Sequence, residues 1–126
     1  MNRRLSFAVA LLTALLSSAS AQAQTFLTDD EMMQRIVGKT LSGLTFKGNE
    51  PWSAQVLPHK KGKPKGKMSG THKGKDYTHS WKVKKGEWCV TRRNGTSCWQ
   101  LEHVSDNEVR PWADGKATER VWRISE

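Results

Sequence analysis

The sequence predicts a mainly β domain, a small antiparallel barrel or sandwich of about seven strands with one short N-terminal helix and one disulfide hairpin. Three observations favour this fold class. Apolar and polar residues alternate in short segments over most of the chain after Lys39, as they do in half-buried strands. Turn-forming residues separate those segments. The two cysteines, Cys89 and Cys98, flank an Asn-Gly pair that is typical of a hairpin turn.

The N-terminal residues have the pattern of a cleaved export signal. Arg3 and Arg4 supply positive charge, residues 7–16 form an apolar run, and residues 21–23 form a small-residue cleavage motif. A membrane anchor would need a longer apolar run, of roughly 20 residues. We therefore expect a signal peptide over 1–23, a single β-rich domain over 24–126 without a transmembrane segment, and a periplasmic or secreted location.

Composition limits the remaining chain to one basic domain. About 100 residues follow the expected cleavage site, which is enough for a single core. Only Arg3 and Arg4 lie in the leader, so 19 basic residues remain against 12 acidic ones, a net charge of +7. This excess favours anionic partners. In an oxidising compartment, Cys89 and Cys98 predict one disulfide and no metal site.

The first element after the leader is predicted to be a short helix. Thr28 and Glu31 have the spacing of a capping box, in which each side chain bonds the backbone of the other residue. Met32 and Ile36 then fall on one face, and Gly38 ends the segment. We expect this helix to plug or flank one end of the β structure.

The predicted strands follow from the alternating segments. Tyr77, His79, Trp81 and Val83 give the clearest example, with polar residues between them. The segments lie around residues 44–46, 52–56, 77–83, 87–91, 96–101, 107–112 and 118–124.

The disulfide predicts a strand register. Linked cysteines on neighbouring antiparallel strands usually lie opposite each other, which would also pair Trp88 with Trp99. This register leaves residues 92–95 as a four-residue loop with Gly95 in a left-handed conformation. A tight turn on Asn94-Gly95 would instead require a diagonal bond between the cysteines. We prefer the four-residue loop.

Residues 59–75 contain seven lysines, two histidines, four glycines and no acidic residue. This composition predicts a mobile loop, because it offers little apolar surface to bury. Lysines suit diffuse attraction to polyanions, and the alternative is a loop that only aids solubility. The candidate anion-binding residues are Lys60, Lys61, Lys63, Lys65, Lys67, Lys73, Lys75, Arg92 and Arg93.

One segment resembles a known family. Trp81-Lys82-Val83, Gly86-Glu87-Trp88-Cys89, Cys98-Trp99 and the later Asp114-Gly115-Lys116 are similar to the pattern of small secreted proteobacterial proteins called domain of unknown function nine-hundred-and-ninety-five. The resemblance covers about a third of the mature chain, and the lysine-rich segment departs from it. It implies a compact exported β domain and brings no activity or binding residues.

Other kinds of site find no support in the sequence. Gly38-Lys39-Thr40 lacks the earlier glycine and the preceding strand of a phosphate loop, so no nucleotide site is predicted. His59, His72, His79 and His103 lack the spacing of a metal module. No nucleophile or carboxylate pair stands in a recognisable catalytic frame. We therefore predict no enzyme activity, catalytic residue, metal or cofactor.

The leading functional hypothesis is an exported, non-enzymatic module that contacts an anionic partner through the lysine-rich loop. Lipopolysaccharide, an anionic membrane, a cell-wall polymer and nucleic acid would each suit it. Two alternatives stay open: a secreted inhibitor directed at a protein, such as a wall-degrading hydrolase, and a secreted protein whose basic loop only aids solubility. The six tryptophans are expected mainly in the core, with one or two facing solvent.

Overall fold

The computed structural model describes residues 25–126. The predicted signal peptide, residues 1–23, lies outside this part of the chain. The helix and strands are α1 (Asp29–Ile36), β1 (Thr40–Leu44), β2 (Pro51–Leu57), β3 (Lys65–His72), β4 (Lys75–Lys84), β5 (Glu87–Arg92), β6 (Gly95–Ser105), β7 (Glu108–Ala113), β8 (Lys116–Ala117) and β9 (Trp122–Ser125). No helix in the described part is long and apolar enough to cross a bilayer.

The strands close into an antiparallel barrel of eight strands. Strands β1 to β7 pair with their sequence neighbours in order, and β9 pairs with both β7 and β1. The short β8 is an additional strand that pairs with the last residues of β7. The predicted fold class is confirmed, and the architecture is a barrel. Closure leaves few unpaired strand edges.

Helix α1 begins at the predicted capping box. The Glu31 amide donates to the Thr28 hydroxyl at 3.2 Å, and the Thr28 amide donates to the Glu31 carboxylate at 3.1 Å. These bonds hold the pKa of Glu31 below its ordinary value. Two backbone donors at the helix start are thereby satisfied.

The helix plugs one end of the barrel, which we call the closed end. Its Met32 and Ile36 side chains are fully buried. Asp29 accepts a hydrogen bond from the Gly86 amide in the β4–β5 turn, and Arg35 donates to the Ser105 carbonyl before the β6–β7 turn. Since turns of a meander alternate between its two ends, the β1–β2, β3–β4 and β5–β6 turns lie at the other, open end.

Residues 65–72 are not a loop, which corrects the prediction for 59–75. They form β3, which pairs with β2 and β4 along its length. Within it, Lys65, Lys67, Ser69 and Thr71 are exposed and alternate with less exposed residues. The predicted loop is therefore only the β2–β3 connection before Lys65 and the tight turn after His72.

Two glycines explain why this lysine-rich segment is a strand. Gly66 and Gly70 occupy inward positions of β3, where aromatic rings of β4 lie across them. A Cβ on Gly66 would lie 2.8 Å from Nε1 of Trp81, and a Cβ on Gly70 would lie 2.8 Å from the Tyr77 hydroxyl. The missing side chains thus make room for rings that cover the backbone.

The disulfide hairpin has the predicted register. Cys89 is bonded to Cys98 and lies opposite it, and Trp88 lies opposite Trp99. The predicted four-residue loop is wrong in length, because the ladder continues to the pair Arg92–Gly95. Gly95 has a φ of 134°, a value that favours glycine, and it allows a two-residue turn here.

Candidate functional site

A cavity of about 600 Å³ occupies the barrel interior towards the open end. This volume lies in the range of small-molecule sites, and the mouths of barrels are a common place for them. Buried Leu41, Met68, Trp88 and Val90 line its deeper part. The remaining lining residues are Thr45, Phe46, Lys47, Trp52, His72, Lys73, Lys75, Asp76, Tyr77, His79, Arg92, Trp99 and Trp122.

A connected series of aromatic rings forms one wall. Trp122 contacts Trp52 and Trp99 edge to face, with ring centroids 5.7 Å and 5.1 Å apart. Phe46, in the β1–β2 turn, stacks on Trp99 at 6.2 Å and is half exposed. Such pairs stabilise each other beyond the area they bury. The rings therefore keep their positions around the cavity and form an apolar surface for a ligand.

The β1–β2 turn is held at the mouth by polar contacts. The Glu50 carboxylate accepts a hydrogen bond from Nε2 of His72 at 2.9 Å and pairs with Nζ of Lys73 at 3.1 Å. The Lys73 ammonium, with His72, holds the pKa of Glu50 below its ordinary value. The Glu50 amide also donates to the Thr45 hydroxyl. These contacts join the β1–β2 turn, which carries Phe46, to the β3–β4 hairpin.

Strand β4 contributes a stacked pair to another wall. The rings of Tyr77 and His79 are 4.6 Å apart and nearly parallel. Burial raises the pKa of Tyr77 and lowers the pKa of His79, and the nearby positive charge of Arg92 also lowers the pKa of His79. His79 is therefore neutral at neutral pH.

Arg92 is one of three cations at the mouth that form no ion pair among the described residues. Its side chain is exposed at the end of β5 and lines the cavity. None of the four ion pairs formed by the described residues includes it. Lys47 and Lys75 also line the mouth without an ion pair, and Asp76 is the one carboxylate among the described lining residues. The mouth thus carries a positive excess.

Two tryptophans that line the cavity carry unpaired donors. The Nε1–H groups of Trp88 and Trp122 are buried and have no hydrogen-bond partner among the described residues. A buried donor without a partner costs about 1 to 3 kcal/mol. By contrast, Trp81 lies below the cavity and donates to the Leu57 carbonyl at 2.9 Å. The unpaired donors therefore lie on rings beside the cavity.

The predicted anion-binding residues separate into distinct groups. Lys73, Lys75 and Arg92 are brought together at the mouth, and Arg93 lies beside them in the β5–β6 turn. Lys60, Lys61 and Lys63 lie in the β2–β3 connection at the closed end, and Lys65 and Lys67 face solvent on β3. The seven predicted loop lysines thus do not lie in one loop, and only Lys73 and Lys75 lie near Arg92 and Arg93.

Most of the cavity was not predicted from the sequence. Phe46, Trp52 and Tyr77 look like ordinary inward residues of half-buried strands. One signal was available, because inward Tyr77 and His79 are followed by Trp81 and Val83, so β4 becomes more polar towards one end. Such a gradient is typical of a strand that leaves a core and enters a solvent-accessible site.

Neither a metal cluster nor a similar protein points to a function. Among residues 25–126, no group of three or more His, Cys, Asp and Glu side chains is gathered to hold a metal ion. Comparisons of the chain with protein-family models, curated proteins and solved structures found no match. The resemblance to domain of unknown function nine-hundred-and-ninety-five therefore stays a prediction.

Proposed function

We propose that this protein is an exported, non-enzymatic binding module whose barrel cavity takes a small amphipathic anion. The observation that carries the proposal is the aromatic cavity of about 600 Å³ with the unpaired Arg92 at its mouth. The expected ligand has an apolar or aromatic body, which enters the barrel, and one anionic group, which stays at the mouth.

The aromatic wall supports the apolar body. Trp52, Trp99 and Trp122 hold one another in place, so the wall keeps its shape before a ligand arrives. Binding then needs little reordering of side chains, which favours affinity.

The charges at the mouth support the anionic group. Arg92 presents a planar set of donors that matches a carboxylate, sulfonate or phosphate. Lys75 and Lys47 add positive charge around it. Lys73 and His72 already contact Glu50, so we assign the main anion contact to Arg92. This proposal keeps three of the sequence-predicted residues, Lys73, Lys75 and Arg92, at the binding site.

A pair of matched probes tests the proposal. Anilinonaphthalene sulfonate carries a permanent anion on an aromatic body, and phenylnaphthylamine has the same ring system without the anion. Both become fluorescent in apolar surroundings, so titration of the processed, oxidised protein gives two dissociation constants. We expect the sulfonate to bind more tightly. Arg92→Gln should weaken sulfonate binding by about 10- to 100-fold, the range for losing a charged hydrogen bond, and leave phenylnaphthylamine unchanged.

The neighbouring arginine provides the control. Arg93→Gln removes the same charge from a side chain that does not line the cavity, and it should change neither constant by more than a few-fold. Trp52→Ala should weaken both probes, because it removes part of the apolar wall. Equal affinity for the two probes, or sulfonate binding that survives Arg92→Gln, would contradict the proposal.

A further inference from the structure

A second basic surface lies on the outside of the barrel, away from the cavity mouth. It is formed by the β2–β3 connection and the outward side of β3 and β4. We call it the lysine face, and it consists of Lys60, Lys61, Lys63, Lys65, Lys67, Lys82 and Lys84. All seven side chains are exposed.

The strand register concentrates these charges. Lys65 lies directly opposite Lys82, and Lys67 lies two residues along β3 on the same side. Like charges placed directly opposite on neighbouring strands destabilise a sheet. The fold therefore keeps an arrangement whose repulsion an external anion would relieve.

Few carboxylates lie beside the lysine face in the described part of the chain. The four ion pairs among residues 25–126 include none of its members. Lys67 donates to the Ser80 hydroxyl at 3.0 Å, which is a neutral contact. Glu87 lies opposite Lys84 at the edge of the face, and the remaining outward neighbours on β3 and β4 near Lys67 are hydroxyl residues, Ser69 and Thr78.

An exposed apolar residue stands within the lysine face. Leu57 lies opposite Lys67 on β2, and 42% of its surface is exposed. No arginine occurs in residues 57–67 and 80–84, which form the face, and the one exposed aromatic ring among them is that of His59. Arginine forks and stacked rings are the usual groups with which proteins recognise bases and single strands. Flexible lysines around an apolar residue instead match lipid headgroups above an acyl layer.

We infer that the lysine face docks the barrel on an anionic phospholipid surface. The lysines lie over the headgroups and Leu57 enters the layer between them. The face lies towards the closed end of the barrel, so the cavity mouth stays accessible while the protein is docked. The inference does not depend on the cavity ligand, because it uses none of the residues assigned to that site.

Sedimentation with vesicles tests this inference. The processed, oxidised protein is mixed with vesicles of phosphatidylcholine, with or without phosphatidylglycerol, at low and at physiological salt. We expect binding only to the anionic vesicles, with weaker binding at higher salt because the exposed charges are screened. The variant Lys65→Ser/Lys67→Ser/Lys82→Ser should bind about 100-fold more weakly, from about fivefold for each lysine near an anionic surface.

A matched variant separates the effect of the lysine face on vesicle binding from the effect of net charge. Arg93→Ser/Lys116→Ser/Arg123→Ser also removes three exposed cations, from other parts of the surface. This variant should bind the anionic vesicles a few-fold more weakly at most. Near-ultraviolet circular dichroism and probe binding in the cavity should be unchanged in both variants. Equal losses in the two variants would overturn the inference, as would binding to neutral vesicles or preference for a DNA duplex over the anionic vesicles.

Discussion

The two ends of the barrel use the same strands for opposite purposes. At the closed end, inward Val83, Leu101 and Val109 are buried against Met32 and Ile36 of the helix. At the open end, the same sheet encloses a cavity of about 600 Å³, and many of the side chains that line it are aromatic or charged. The closed end is packed like an ordinary protein interior, whereas the open end keeps space that could hold a ligand.

The difference indicates that stability and ligand binding depend on different ends of the barrel. The helix supplies apolar side chains where the barrel would otherwise be open, so one end needs no ligand to exclude water. Trp81 stacks on Trp88 with centroids 5.2 Å apart, at the level where the packed core meets the cavity. Substitutions below this level should therefore change the free energy of unfolding, and substitutions above it should mainly change affinity.

The largest expected difference in the free energy of unfolding is between substitutions of Trp81 and of Phe46. Trp81→Ala should lower the free energy of unfolding by about 3 to 5 kcal/mol, because it leaves a cavity in the packed end and removes the bond to Leu57. Phe46→Ala should cost less than about 1 kcal/mol, since the ring is half exposed. Denaturant titration followed by circular dichroism measures both. Similar losses for the two variants would show that the ends are not energetically distinct.

A substitution at Gly66 tests how tightly the closed end is packed against the backbone of β3. Gly66→Ala should destabilise the protein by about 1 to 3 kcal/mol, because its Cβ would meet the Trp81 indole and the Leu57 carbonyl. Ser69→Ala is the control, since it lies on the outward side of the same strand. Thermal unfolding of the two variants gives the difference. An unchanged midpoint for Gly66→Ala would mean that the ring does not pack against β3 as described.

The helix that fills the closed end should be sensitive to its cap. Thr28→Ala removes the hydroxyl that accepts from the Glu31 amide and should cost about 1 kcal/mol. Hydrogen exchange of the α1 amides should accelerate, while sulfonate probe binding at the open end stays the same. A parallel loss of probe affinity would indicate that the two ends are coupled.

The smallest expected effect concerns pH at the open end. Burial and Arg92 lower the pKa of His79, so the ring is neutral at neutral pH and gains a proton only under more acidic conditions. A bound anion favours the protonated ring and raises its pKa. Sulfonate affinity should therefore rise a few-fold as pH falls through the interval between the free and bound pKa values. His79→Gln should remove this rise, and a rise that persists in the variant would exclude His79 as its source.

Local features were predictable from the sequence, because their causes are local. Thr28 and Glu31 lie three residues apart, so the capping box is visible in the sequence. The pairing of Cys89 with Cys98 likewise follows from a ten-residue hairpin segment. In both cases, the residues that determine the geometry are close in the chain.

The features that the sequence did not predict depend on distant residues. Gly66 and Gly70 resemble loop glycines until the rings of β4 are placed over them. The cavity depends on barrel closure, which brings Trp122 of β9 against Trp52 of β2 and Trp99 of β6. Because these contacts join residues that are far apart in the chain, alternation alone predicts that the rings face inward but not that they enclose a space.

The tryptophan arrangement also gives the molecule two separate optical signals. Trp81 and Trp88 are nearly parallel at 5.2 Å, close enough for their excited states to couple and to produce a paired band in circular dichroism. Trp52, Trp99 and Trp122 meet edge to face around the cavity, so excitation can move among them until one ring reaches a quencher. A molecule that enters the cavity can therefore dim several indoles at once, and because Trp88 lines the cavity, the paired band reports on the boundary between the cavity and the packed end.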